Sequence, residues 1–141
     1  MSQAQATTKM RGIRHSWKWN DKYLGTIIEN GLYVHAERIS PEYDGGKWKF
    51  KGDGEIGYGY PASRKTYHCE NPNAYYDCEA PAEVLGISAT LYLLNSLCWK
   101  HDERGNKNAA RWYRDQYYKL RDWAFNNLKP EHAHMVYGLI G

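Results

Sequence analysis

Hydrophobic positions change period several times along the chain. Between Glu29 and Tyr43, the residues Leu32, Val34, His35, Ala36 and Ile39 make a partial stripe of 3.6-residue period. Pro41 and then Asp44-Gly45-Gly46 close it, so a short helix is predicted there. Period two takes over at Lys47. Lys47-Trp48-Lys49-Phe50-Lys51 alternates strictly, which puts Trp48 and Phe50 on one face of a strand and the lysines on the other. Gly52-Asp53-Gly54 reads as a turn, and Glu55 to Tyr60 alternates again until Pro61 ends the strand. A third strand is predicted over Lys65 to Cys69. Glu70-Asn71-Pro72-Asn73 turns the chain, and Ala74 to Cys78 makes a short fourth strand.

The second half returns to helical spacing. Glu79 to His101 has Pro81 for its first turn and Glu83 for its positive N-terminal end. Its Val84, Leu85, Ile87, Leu91, Leu93, Leu94, Leu97 and Cys98 point nearly all round, the mark of a buried central helix. Gly86 inside it costs up to about 1 kcal/mol relative to alanine, which close packing against the sheet would explain. A charged turn over Asp102 to Asn106 leads into Asn108 to Leu128. There Ala109, Tyr113, Tyr117, Leu120, Ala124 and Leu128 share a face, and Arg111, Arg114, Asp115, Lys119 and Asp122 fall largely on the other. Pro130 ends it, and His132 to Ile140 forms a final short helix or an extended tail. The expected class is α+β: a small antiparallel sheet of three to four strands with helices packed on one face.

With 141 residues, one domain suffices. Residues 1–20 are expected to be a flexible basic and aromatic N-terminal arm, and 21–141 the single domain. Hydrophobic residues at 42% and charged residues at 25% exclude a wholly disordered chain. No apolar run approaches the roughly 20 residues of a membrane span, so no membrane partner is expected. The three cysteines, an odd number, and a polar N-terminus without a secretory signal point to the reducing cytoplasm. Net charge is +3. A DNA mimic needs a dense surplus of carboxylates, since a duplex carries about one charge per 1.7 Å, and this chain has none. Aromatic residues reach 15%, which serves either a Tyr- and Trp-rich core or a contact surface.

Candidate chemistry is thin. Gly52-Asp53-Gly54-Glu55-Ile56-Gly57 matches G-x-G-x-x-G, but a strand follows where a dinucleotide site needs a helix. It reads as a hairpin. His68-Cys69 and Cys78 would lie close across the second hairpin, yet paired zinc-ligand spacing is missing. No metal or cofactor is expected. There is no G-x-S-x-G elbow, and Cys98 reads as inert packing. The acidic pairs Asp53 with Glu55 and Asp77 with Glu79 are isolated, so no catalytic residue is assigned. Two surfaces remain as candidate partner-binding sites. One is the polar helix face of Arg111, Arg114, Asp115, Lys119 and Asp122. The other is the arm, where Trp17 and Trp19 interleave with Lys9, Arg11, Arg14, Lys18 and Lys22, a pattern able to grip single-stranded nucleic acid.

Three stretches, in order and spacing, resemble the KlcA/ArdB antirestriction family. Tyr43-Asp44-Gly45-Gly46-Lys47-Trp48-Lys49-Phe50 resembles its Y-x-G-G-x-W-x-F. Ala80-Pro81-Ala82-Glu83-Val84-Leu85-Gly86-Ile87-Ser88-Ala89 is similar to its S-P-E-A-A-G-I-A-A, and Tyr117-Tyr118-Lys119-Leu120-Arg121-Asp122-Trp123-Ala124 to its Y-Y-R-L-R-D-Y-A. The resemblance covers roughly residues 23 to 141. It implies a protein of plasmids, phages or islands that shields incoming DNA from host type I restriction enzymes without being acidic, and it brings no catalytic residues. The expected function is therefore non-catalytic inhibition of a host defence complex by protein–protein contact, in the bacterial cytoplasm. The alternatives are an inhibitor of another defence such as CRISPR interference, a nucleic-acid-binding accessory protein using the arm, and an unrecognised nuclease. Direct nucleic-acid binding is not favoured.

Overall fold

The computed structural model describes residues 24–52 and 56–141. Four α-helices and two hairpins follow in chain order: α1 (Leu24–Ile39), β1 (Trp48–Gly52), β2 (Gly57–Pro61), β3 (Thr66–Asn71), a 3₁₀ turn at Pro72–Ala74, β4 (Tyr76–Pro81), α2 (Ala82–Glu103), α3 (Lys107–Asn127) and α4 (Pro130–Ile140). The α+β class stands. Trp17, Trp19 and the rest of the N-terminal arm lie outside the described residues.

The strands do not join into one sheet, which corrects the single three- to four-stranded expectation. Among the described residues β1 pairs only with β2 and β3 only with β4, both antiparallel. The reason is visible at His68. A meander would place β2 on the edge of β3 that faces away from β4. At that edge Glu42 accepts the His68 N–H at 3.2 Å, and the Ser40 hydroxyl donates to the His68 carbonyl at 2.6 Å. The segment after α1 therefore occupies the edge with side chains, one of the ways in which edge strands are kept from pairing.

Local chemistry explains the elements. Gly45 and Gly46 have φ of 95° and 99°, a left-handed backbone that only glycine takes without strain. The turn they make returns Trp48 toward α1. Its indole N–H donates to the Tyr43 hydroxyl at 2.9 Å, and its ring lies 5.5 Å from that of Tyr33. Trp48 is buried, Phe50 half-buried, and Lys49 and Lys51 are exposed, as the alternation requires. Gly52 pairs with Gly57, so β1 and β2 form a hairpin, and a strand stands where a dinucleotide site needs a helix.

α2 is the hub of the core. By length and composition it would reach across a bilayer, but twelve of its residues are buried within the protein. α1, α3, α4 and β2 all pack on it. Gly86 lets β2 come close: a methyl group at this position would meet the Gly59 carbonyl oxygen and the backbone of Tyr60. At the start of the helix, Glu83 accepts hydrogen bonds from Lys51 and from the Tyr58 hydroxyl, each 2.7 Å, tying the first hairpin to α2. α3 begins on an Asn106 cap, whose side chain accepts the Ala109 N–H at 3.4 Å, and it buries Ala109, Tyr113, Leu120 and Ala124. α4 starts on Pro130, a residue pre-set for the first helical position, and is helical throughout.

Candidate functional site

The core face of α3 determines what its flanks present. With Tyr113, Leu120 and Ala124 turned inward, Arg114, Tyr117, Tyr118 and Arg121 line the seam between α3 and α2. Their steps of three, four and seven put them on one stripe of the helix. Asn95 and Cys98 of α2 complete an open concavity of about 180 Å³. Tyr118 is exposed, while Tyr117 and Arg121 are half-buried. The Arg121 guanidinium lies 5.7 Å from the Phe125 ring and 5.9 Å from the Tyr137 ring. Those two rings, both exposed, sit 5.7 Å apart and carry the aromatic surface from α3 onto α4.

Charge on this face is poorly neutralised. Arg114 reaches Asp115 only at 3.8 Å. Among the described residues Arg121 forms no ion pair with a carboxylate. Burial raises the Tyr117 hydroxyl above its ordinary pKa, with Arg121 pulling the other way, so the phenol stays neutral and available as a donor. Burial likewise raises the Cys98 thiol. An assembly of guanidiniums and phenols is suited to gripping a partner, and the one thiol in its wall is disfavoured as a thiolate.

Arg111, Arg114, Asp115, Lys119 and Asp122 are all exposed on α3. Of these only Arg114 lines the concavity; Arg111, Asp115, Lys119 and Asp122 flank it. Sequence reasoning missed Tyr118 and Arg121 and assigned Tyr117 wholly to the core, where it is only partly packed. Cys98, expected as inert packing, is half-buried at the concavity wall. The i, i+3, i+4, i+7 spacing of Arg114, Tyr117, Tyr118 and Arg121 is the signal that would have found the stripe.

Elsewhere the chemistry is restrained. Cys69 and Cys78 are direct partners across the second hairpin. Burial pushes Cys69 up to about 12 and also raises Cys78, so with Cys98 every thiol in the chain is disfavoured as a thiolate. On the hairpin's outer face His68 hydrogen-bonds Glu79 at 2.9 Å and approaches Glu70 at 3.4 Å, with Asp77 nearby. The bond to Glu79 raises the His68 pKa. Three carboxylates around one imidazole form a patch, not the extended array of a duplex. Among the described residues no group of three or more His, Cys, Asp or Glu side chains is placed to hold a metal ion.

Comparison with known proteins matches this architecture to one group. The family described as "Antirestriction protein" matches residues 41–140. The putative antirestriction protein YubI of Escherichia coli strain K12 is 30% identical over 105 residues, covering 71% of this chain and 70% of that protein. A solved structure of the KlcA and ArdB proteins, described as showing a novel fold and antirestriction activity against Type I DNA restriction systems in vivo but not in vitro, is similar with a TM-score of 0.76 and 25% identity. That match covers all of this chain and 92% of the other. Three likenesses, one to a family pattern, one to a single relative and one in the backbone, agree, and the chain belongs to the antirestriction protein family.

Proposed function

We propose that this protein inhibits host type I restriction–modification by binding a protein of the restriction machinery in the bacterial cytoplasm, without catalysing a reaction. The observation that carries this reading is the backbone likeness to KlcA and ArdB over the whole chain, for which activity against type I systems in vivo is described. The charge and the site support it. At +3 the chain is not a polyanion and lacks the carboxylate surplus that imitating a duplex requires. Arginine and tyrosine, the side chains concentrated on α3, are those that dominate the energetics of protein contacts. The three thiols are held as poor nucleophiles. The test is restriction in living cells. Hosts carrying the gene should plate unmodified phage more efficiently than hosts without it, and equal plating across several type I systems would refute the reading.

A further inference from the structure

The α3 face repeats itself. Arg114-Asp115 recurs seven residues later as Arg121-Asp122, about 10.5 Å along the helix axis. Seven residues are close to two helical turns, so the two arginines fall in one line and the two aspartates in a parallel line beside it. The lines do not neutralise one another: apart from the 3.8 Å approach of Arg114 to Asp115, neither aspartate makes an ion pair with another described residue. Arg111 and Lys119 flank Asp115 at four residues on either side and form no ion pair with it. The cationic line borders the open concavity, and its exposed Tyr118 lies between the arginines. The face thus offers two rows of opposite sign at a seven-residue repeat, edged by aromatic rings.

We infer that this face docks an α-helical segment of a partner protein carrying Asp or Glu seven residues apart, with Lys or Arg in the neighbouring row. A facing helix with that repeat sets its acids over Arg114 and Arg121 and its bases over Asp115 and Asp122, with an apolar side chain against Tyr118 and the concavity. Complementary rows of this type set partner choice and orientation between helices. A nucleic acid strand satisfies only half of the pattern, because phosphates drawn to the arginines also meet Asp115 and Asp122. The inference rests on the proposed protein-binding mode of inhibition, and it names the chemistry of the partner.

The test places a photo-crosslinking amino acid at Tyr118 of the full-length protein, expressed in a restricting host, and follows adduct yield alongside phage plating. A discrete protein adduct is expected. Its yield should fall about tenfold or more, the size expected when two exposed charge pairs are lost together, in R114E/R121E and equally in D115K/D122K. The swap R114D/D115R/R121D/D122R, which keeps net charge, should also lose it. Asp115 and Asp122 are exposed, so D115K/D122K keeps the fold, and an unchanged thermal midpoint verifies this. Absence of an adduct, an adduct indifferent to both reversals, or a DNA adduct that strengthens in D115K/D122K overturns the inference. The two readouts separate: failure of the wild type to protect phage refutes antirestriction, whereas protection that survives D115K/D122K refutes only this docking mode.

Discussion

Replacing Gly86 with alanine tests the close seating of β2 on α2. A methyl group built on Gly86 lies 2.5 Å from the Tyr60 Cα and still closer to the Gly59 carbonyl oxygen. Carbon atoms settle at about 3.5–4.0 Å, so strand and helix must separate by about 1 Å. Both neighbours are backbone and cannot rotate away. Overpacking costs about 1–3 kcal/mol, and two backbone neighbours this close put Gly86 at the upper end, about 2–3 kcal/mol. Helix propensity acts in the opposite direction and returns about 1 kcal/mol for Gly→Ala. The net expectation is a loss of about 1–2 kcal/mol. In urea, with a slope of about 2 kcal/mol/M, the midpoint should fall by about 0.5–1 M. The competing effects differ in sign, so the assay decides between them. A G86A midpoint equal to or above the wild type would refute the close-packing argument and leave propensity as the governing effect.

Other expectations follow from single contacts. Tyr43→Phe leaves the buried Trp48 indole N–H without its 2.9 Å acceptor and should cost about 1–3 kcal/mol in chemical denaturation; a loss below about 0.5 kcal/mol would mean the indole finds another partner. Burial pulls the Glu83 carboxyl upward, but hydrogen bonds from Lys51 and Tyr58 outweigh it and hold the pKa below the ordinary value. The folded state therefore binds fewer protons there than the unfolded chain. The stability advantage of wild type over Glu83→Gln should be complete above about pH 4.5 and narrow as pH falls through the lowered pKa, read from paired denaturation curves across pH 2–7. Tyr75, at the tip of the second hairpin, is 99% exposed and has a left-handed φ of 50°. Tyr75→Gly should raise stability by up to about 1 kcal/mol, the left-handed strain removed less the extra freedom glycine gives the unfolded chain, and a fall in the melting temperature would contradict this.

Much of the fold was legible because its signals are local. The alternation of Trp48 and Phe50 with lysines, the turn at Asn71-Pro72, the apolar run of α2 and the stripe of α3 each state a period that one element satisfies. Boundaries moved where two signals overlapped. α1 ends at Ile39 instead of Tyr43, since Ser40 leaves the helix to bond β3, and α2 starts at Ala82 because β4 holds its pairing as far as Pro81. The division into two hairpins was not legible, because it depends on Ser40 and Glu42 reaching the edge of β3 from far along the chain. The site was half legible for a similar reason. Arg114 stood out as a charge on a polar face, whereas Tyr117 and Arg121 sit at the margin between core and solvent, where periodicity assigns neither side.

The separation of the hairpins has a consequence for how such a scaffold changes. Each hairpin leans on α2 and shares no backbone ladder with the other. Residues gained or lost at one tip therefore leave the strand alignment of the other undisturbed. Length changes are absorbed one hairpin at a time while the central helix keeps its neighbours, and the exposed face of α3 stays in place throughout.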